Sequence, residues 1–274
     1  MLAIGTHDGR VRLVEVSTGR ERHNVMTHSD FVRGVALSLC GTMVASVGND
    51  FSCKVFDAET SAEVLSVPGH TGRGACLCQV DERGKCAAVD ELCPVDGHAS
   101  EVVCVAFAPC GRRIATGGVD KTVLVHNVRQ KEVERRLVGH SGPVFSVAVS
   151  AGGVMLVSGS RDRSILIWDL AEGLVMRGIP DAHEMYVHAV AISPCGAMLA
   201  SAGGDTLVKM WDVETVAPLR TFTGHAHFVL TVAPRARALG RVQFQCDSIP
   251  ICSLCPVVPR RALPHSMSGA ALFA

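Results

Sequence analysis

Residues 139–169 read GHSGPVFSVAVSAGGVMLVSGSRDRSILIWD, opening on Gly139-His140 and closing on Trp168-Asp169. Between those ends lie three short apolar runs, Val144 to Val149, Val154 to Ser158 and Ser164 to Trp168, separated by two turns. Each run is too short for an ordinary helix and rich in the β-branched residues that strands favour, so the stretch predicts three antiparallel strands. His140 falls before the first strand, Ser158 on the second, Asp162 in the second turn and Trp168 on the third. In that arrangement the four polar tips can meet in one hydrogen-bond network. Such a network holds strand register, because a slip leaves buried donors without partners.

The pattern recurs. Histidines restart it at His28, His70, His98, His140, His183 and His225, in steps of 42, 28, 42, 43 and 42 residues. Eighteen residues after four of them stand Ser46, Thr116, Ser158 and Ser201, and four further on come Asp50, Asp120, Asp162 and Asp205. Six beyond each aspartate are Phe56, His126, Trp168 and Trp211. A period near 42 residues with a Gly-His start and a Trp-Asp finish is the signature of four-stranded propeller blades. Over residues 1 to about 233 the chain resembles the WD-repeat (WD40) β-propeller family. The resemblance implies an all-β fold, a propeller of about six blades with one defective. The alternative is an open fragment of a seven-bladed or longer propeller.

In chain order, residues 1–27 match the second, third and fourth strands of a blade, with Asp8 alone of the polar set. Residues 28–69 make a complete blade. The next starts at His70, with strands expected near Gly74 to Gln79 and Lys85 to Val89, and meets Gly97-His98 fourteen residues early, so it is expected to lack half its sheet. Blades starting at His98, His140 and His183 are regular. A last first strand, Phe228 to Ala233, precedes Pro234, where the pattern stops. The expected closure is a ring in which the two chain ends share one blade, removing open edges. Residues 234–274, with five arginines and one acid, are expected to be a disordered basic tail. Its Cys252-x-x-Cys255, with Cys246 and His265, is too sparse for a structural zinc site, which needs four supported ligands.

Lysine plus arginine balance aspartate plus glutamate at 26 each, and the basic residues form no stripe, so no nucleic-acid partner is expected. No apolar run reaches the length of a membrane span and the N-terminus lacks a signal-peptide pattern, so an intracellular protein without membrane insertion is expected. Cys40, Cys110 and Cys195 share one repeat position, before a glycine in the turn joining first and second strands, which predicts thiols in a reducing compartment rather than bridges.

Ser158, His140 and Asp162 have the residue types of a hydrolytic triad. The same trio stands in several blades, whereas catalysis needs one exposed serine beside an oxyanion hole. The repeat therefore assigns the sets His28, Ser46, Asp50; His98, Thr116, Asp120; His140, Ser158, Asp162, Trp168; and His183, Ser201, Asp205, Trp211 to structure. No phosphate loop, HExxH helix or GxSxG elbow is present, and neither enzyme activity nor a cofactor is expected. His126 and His188 read as packed or rim histidines.

What remains is surface. The resemblance implies partner binding where the Gly-His loops meet the innermost strands, with the third and fifth positions after each histidine around the channel. Those chosen as partner-binding are Phe31, Arg33, Arg73, Glu101, Phe145, Tyr186, His188 and Phe228. Aromatics and arginine around a recess are the material of interface hot spots. The expected function is a non-enzymatic protein–protein interaction scaffold. The alternatives are a substrate receptor of a cullin-type ubiquitin ligase, suggested by the arginine that His126-Asn127-Val128-Arg129 keeps after the third strand, and a non-functional fragment of a longer WD-repeat protein.

Overall fold

The structure is a computed structural model that describes residues 1–67, 97–237, 241–246 and 250–251. Short runs of two to seven residues broken by turns form strands, and within each sheet every strand pairs antiparallel with its neighbour in sequence. The first sheet holds β1 (Leu2–Gly5), β2 (Arg10–Val14) and β3 (Glu21–Met26); the second holds β4 (Val32–Leu37), β5 (Met43–Gly48), β6 (Cys53–Asp57) and β7 (Glu63–Val67). The third comprises β8 (Val102–Phe107), β9 (Arg113–Gly118), β10 (Thr122–Asn127) and β11 (Glu132–Val138). The fourth comprises β12 (Val144–Val149), β13 (Met155–Ser160), β14 (Ile165–Asp169) and β15 (Val175–Ile179). The fifth comprises β16 (Val187–Ile192), β17 (Met198–Gly203), β18 (Val208–Asp212) and β19 (Pro218–Phe222). The sixth holds β20 (Val232–Arg237), β21 (Arg241–Cys246) and β22 (Pro250–Ile251).

Two side-chain devices set the turns. In the loop between second and third strands, Asp50, Asp120, Asp162 and Asp205 accept the backbone N–H two residues on, and the intervening Phe51, Lys121, Arg163 and Thr206 take positive φ. After the third strand, Asp57, Asn127, Asp169 and Asp212 each accept two successive N–H groups, the turn geometry that Asx side chains favour.

The core lies between sheets. Strands β13 and β14 supply Val157, Ile165 and Ile167 against Val187, Val190 and Leu199 of the fifth sheet, and equivalent buried sets fill the other four interfaces. Sheets therefore pack in sequence order as blades, each on its neighbours.

Three expectations are corrected. First, the second and third sheets pack directly on each other, with β4 and β5 along β8, where a defective blade was expected between them. The residues assigned to that blade, His70 and Arg73 among them, lie outside the described residues. The contact is fitted by an exchange of sizes. Across the paired first and second strands the other sheets carry Cys104 with Gly117, Ser146 with Gly159 and Ala189 with Ala202, while here Gly34 faces Val47. A Cβ at Gly34 would come within 3.1 Å of Val47 and 3.2 Å of the Val103 carbonyl, so the absent side chain admits both the larger valine and the neighbouring sheet. Second, the ends do not share a blade: β1–β3 and β20–β22 are separate sheets, and among the described residues no comparable packing joins them. The sheets form an open arc, the alternative architecture above. Third, the boundary expected at 233/234 falls inside β20, and the sixth sheet extends to Ile251. Residues 241–246 alternate polar and apolar types, a strand period independent of the repeat markers. Pro234 fits because β20 is an edge strand, where half the N–H groups face away from the ladder.

Candidate functional site

The four polar sets assemble as buried chains. In the fourth sheet Trp168 Nε1–H donates to Ser158 Oγ at 2.8 Å, the Ser158 hydroxyl meets His140 Nε2 at 2.7 Å, and His140 Nδ1 meets Asp162 Oδ2 at 2.9 Å. The fifth repeats it with Trp211, Ser201, His183 and Asp205, at 2.8, 2.7 and 2.9 Å. In the second sheet His28 joins Ser46 at 2.8 Å and Asp50 at 2.9 Å, with Phe56 closing the set by packing alone. Burial outweighs the attraction of the aspartates and lowers the pKa of His140 and of His183, so neutral imidazoles donate Nδ1–H to carboxylates. Burial pushes the Asp162 carboxyl up, but the Ser164 hydroxyl and N–H and the His140 side chain bring it down to about 2. No serine of these sets is free to attack a substrate: each is fully buried and spends its hydroxyl within the chain.

The third sheet departs. His98 joins Thr116 at 2.8 Å and Asp120 at 3.0 Å, and His126 holds the tryptophan position, its Nε2 2.9 Å from Thr116 Oγ1. With Nε2–H donating as Trp168 does, the Nδ1 lone pair remains, and it has no partner. Burial, aided by the positive potential of His98 and Arg136, pushes this imidazole down to about 3.

These chains anchor the loops that carry the mouth of the arc. In each, the residue before the aspartate donates its N–H to the carbonyl three positions after the histidine: Asn49 to Phe31, Val119 to Glu101, Arg161 to Pro143 and Gly204 to Tyr186, at 2.8 to 3.0 Å. Three positions per blade thus meet there, and the sequence pattern had marked two. Asn49 and Arg161 were missed, although their signal, one step before each repeated aspartate, was available.

The mouth has two unlike flanks. On one, Phe31 stacks on His7 at 4.6 Å, and Arg33 is taken up by Asn49 at 2.6 Å and by Glu101 at 3.9 Å. On the other, Phe145 stacks on His188 at 5.6 Å, Phe228 is tilted against His188 at 6.0 Å, and Tyr186 stands edge-on to both Phe145 and His188 at 6.3 Å. Half-burial lowers the His188 pKa, keeping a neutral ring in an aromatic run. Arg161 lies over the Tyr186 ring at 4.9 Å. Phe228 is 58% exposed and Leu230 59%, so the run opens to solvent as an apolar patch. The structure brings Phe145, Tyr186, His188 and Phe228 together on this flank, separates them from Phe31, Arg33 and Glu101, and leaves Arg73 outside the described residues. Among the described residues, no group of three His, Cys, Asp or Glu side chains is placed to hold a metal, and no helix is long and apolar enough to cross a membrane.

The family model described as WD domain, G-beta repeat matches residues 19–57, 90–127, 131–169 and 176–212, more than half of the chain. The chain belongs to the WD-repeat family. Among curated proteins it is similar to eukaryotic translation initiation factor 3 subunit I from Culex quinquefasciatus, 28% identical across 44% of this chain and 45% of that protein. The same subunit from Bombyx mori is 28% identical across 42% and 44%. WD repeat and SOCS box-containing protein 1 from Danio rerio is 25% identical across 46% of this chain and 23% of that protein. The chain spans less than half the length of these relatives. WD repeats imply a protein–protein interaction scaffold, and proteins built from them are typically not enzymes.

Proposed function

We propose that this chain is a non-enzymatic scaffold that docks peptide segments or partner domains at the mouth of the arc, through Phe31, Arg33, Glu101, Phe145, Tyr186, His188 and Phe228. The observation that carries this reading is the run of four rings contributed by three consecutive blades and opened to solvent at Phe228. Large rings of this kind lose little rotamer freedom on binding and supply much of an interface's energy. The test is selection of displayed peptides on the full chain, followed by titration against the Phe31→Ala/Phe228→Ala double variant. The expected result is a loss of affinity of roughly tenfold or more with an unchanged melting temperature, both rings being exposed. Unchanged affinity would overturn it.

A second reading, a substrate receptor of a cullin-type ubiquitin ligase, rests on Arg129, which is exposed beyond the Asn127 turn that accepts its N–H. Arg129→Ala would then reduce co-elution with a purified cullin adaptor, and absence of co-elution with the unaltered chain would sink that reading.

A further inference from the structure

The repeat position that precedes each buried aspartate carries Asn49, Val119, Arg161 and Gly204. Only one of these is a cation, and its setting differs from that of Arg33 on the opposite flank. Arg33 is spent on Asn49 and Glu101. Arg161 is exposed, its guanidinium stacks on Tyr186, one Nη2–H donates to the Tyr186 hydroxyl at 3.3 Å, and no carboxylate among the described residues pairs with it. The ring contact orients the guanidinium, and its other N–H groups bond no partner among the described residues, beside the apolar run that ends at Phe228.

Resting on the docking reading above, we infer that the aromatic flank takes a peptide segment carrying a carboxylate next to an apolar side chain, the carboxylate on Arg161 and the apolar group against Phe145 and Phe228. A guanidinium is suited to a carboxylate because its parallel N–H groups match the two oxygens, and stacking reduces the ordering cost of the pair. The charge around it selects a monoanion over a doubly charged phosphate. Arg163, the next cation along the loop, is taken by Asp181 at 2.7 Å, and Asp205, held ionised, binds the N–H of exposed Glu184 in the adjacent loop. Gly204 completes the seat: a Cβ there would lie 3.5 Å from His188 Nε2, so the glycine keeps the aromatic floor uncovered where Arg161 has its side chain one blade earlier.

The test passes a library of capped octapeptides, randomised at four central positions, over the immobilised full chain, and sequences what is retained. The expected result is enrichment of Asp or Glu within one position of Phe, Leu, Ile or Met. Arg161→Gln, whose circular dichroism should match the parent because the residue is exposed, should cut the acidic enrichment about tenfold while leaving apolar selection intact. Phe228→Ser should do the reverse. Retained peptides without an acidic preference, or with a basic one, or an acidic preference that survives Arg161→Gln, would overturn the inference while the docking reading stood. Retention of no peptide by the parent chain would overturn the docking reading beneath it.

Discussion

His126 replaces an indole with a titratable ring in a fully buried site, and the replacement predicts acid sensitivity confined to one blade. The imidazole is 0% exposed, its Nδ1 lacks a partner, and burial holds its pKa at about 3 against 6.5 for the free side chain. Between those values the unfolded chain binds a proton that the folded chain refuses, so the contribution is present above pH 6.5 and is lost as pH falls towards 3. At pH 5 the loss is about 2 kcal/mol, from roughly one and a half units at 1.36 kcal/mol each. His126→Phe removes the titration and imitates Phe56, which fills the same position in the second sheet. At pH 7.5 the variant gives up the bond to Thr116, costing about 1 kcal/mol, and relieves an unpaired buried nitrogen worth about as much, so its stability should be close to the parent's. Urea unfolding followed by circular dichroism at pH 7.5 and pH 5 measures both. The parent should lose about 2 kcal/mol more than the variant between the two pH values. Equal losses would refute the reasoning, since every other histidine and aspartate is common to both proteins.

Other outcomes follow from the same geometry. Trp168→Ala should cost roughly 3 to 5 kcal/mol in urea unfolding, since it opens a cavity at a fully buried site and strips Ser158 of its donor. Thr206 is β-branched and holds φ at 65°, so Thr206→Gly should raise stability by about 0.5 to 1 kcal/mol by differential scanning calorimetry. The hydroxyls of Ser38 and Thr42 bring the exposed Cys40 thiol down to about 7, whereas burial pushes Cys53 and Cys104 up to about 12. Brief treatment with iodoacetamide at pH 7.5, read by mass spectrometry, should label Cys40 well before Cys53 or Cys104.

The strands and the buried chains were legible because their determinants are local. Spacings of 18 and 22 residues from each histidine become the hydrogen bonds from His140 to Ser158 and Asp162, since two hairpins fold those positions over one another. Packing between blades was not legible in the same way. Gly34 and Val47 carry no marker, and their exchange of bulk has meaning only once β8 is seen against β4. The sixth sheet was passed over because β21 alternates as a strand should, yet neither it nor β20 carries the histidine and tryptophan that flagged the others. At the mouth, composition singled out the rings, but nothing in the sequence separated the occupied charge of Arg33 from the unmatched one of Arg161. That difference depends on Glu101, 68 positions from Arg33 and on another sheet.

Among the described residues each sheet of the arc packs on the next in line, and no comparable packing spans the series. Cooperativity then decays with distance along the series, as in linear repeat arrays, and protection should form a gradient. In the first sheet Leu2 and Ile4 are turned to solvent, while the fourth and fifth hold complete tryptophan chains and have cores on both faces. Deuterium uptake should therefore begin at β1 to β3 and reach β13, β14 and β17 last, so that the molecule loosens one blade at a time from its N-terminal sheet.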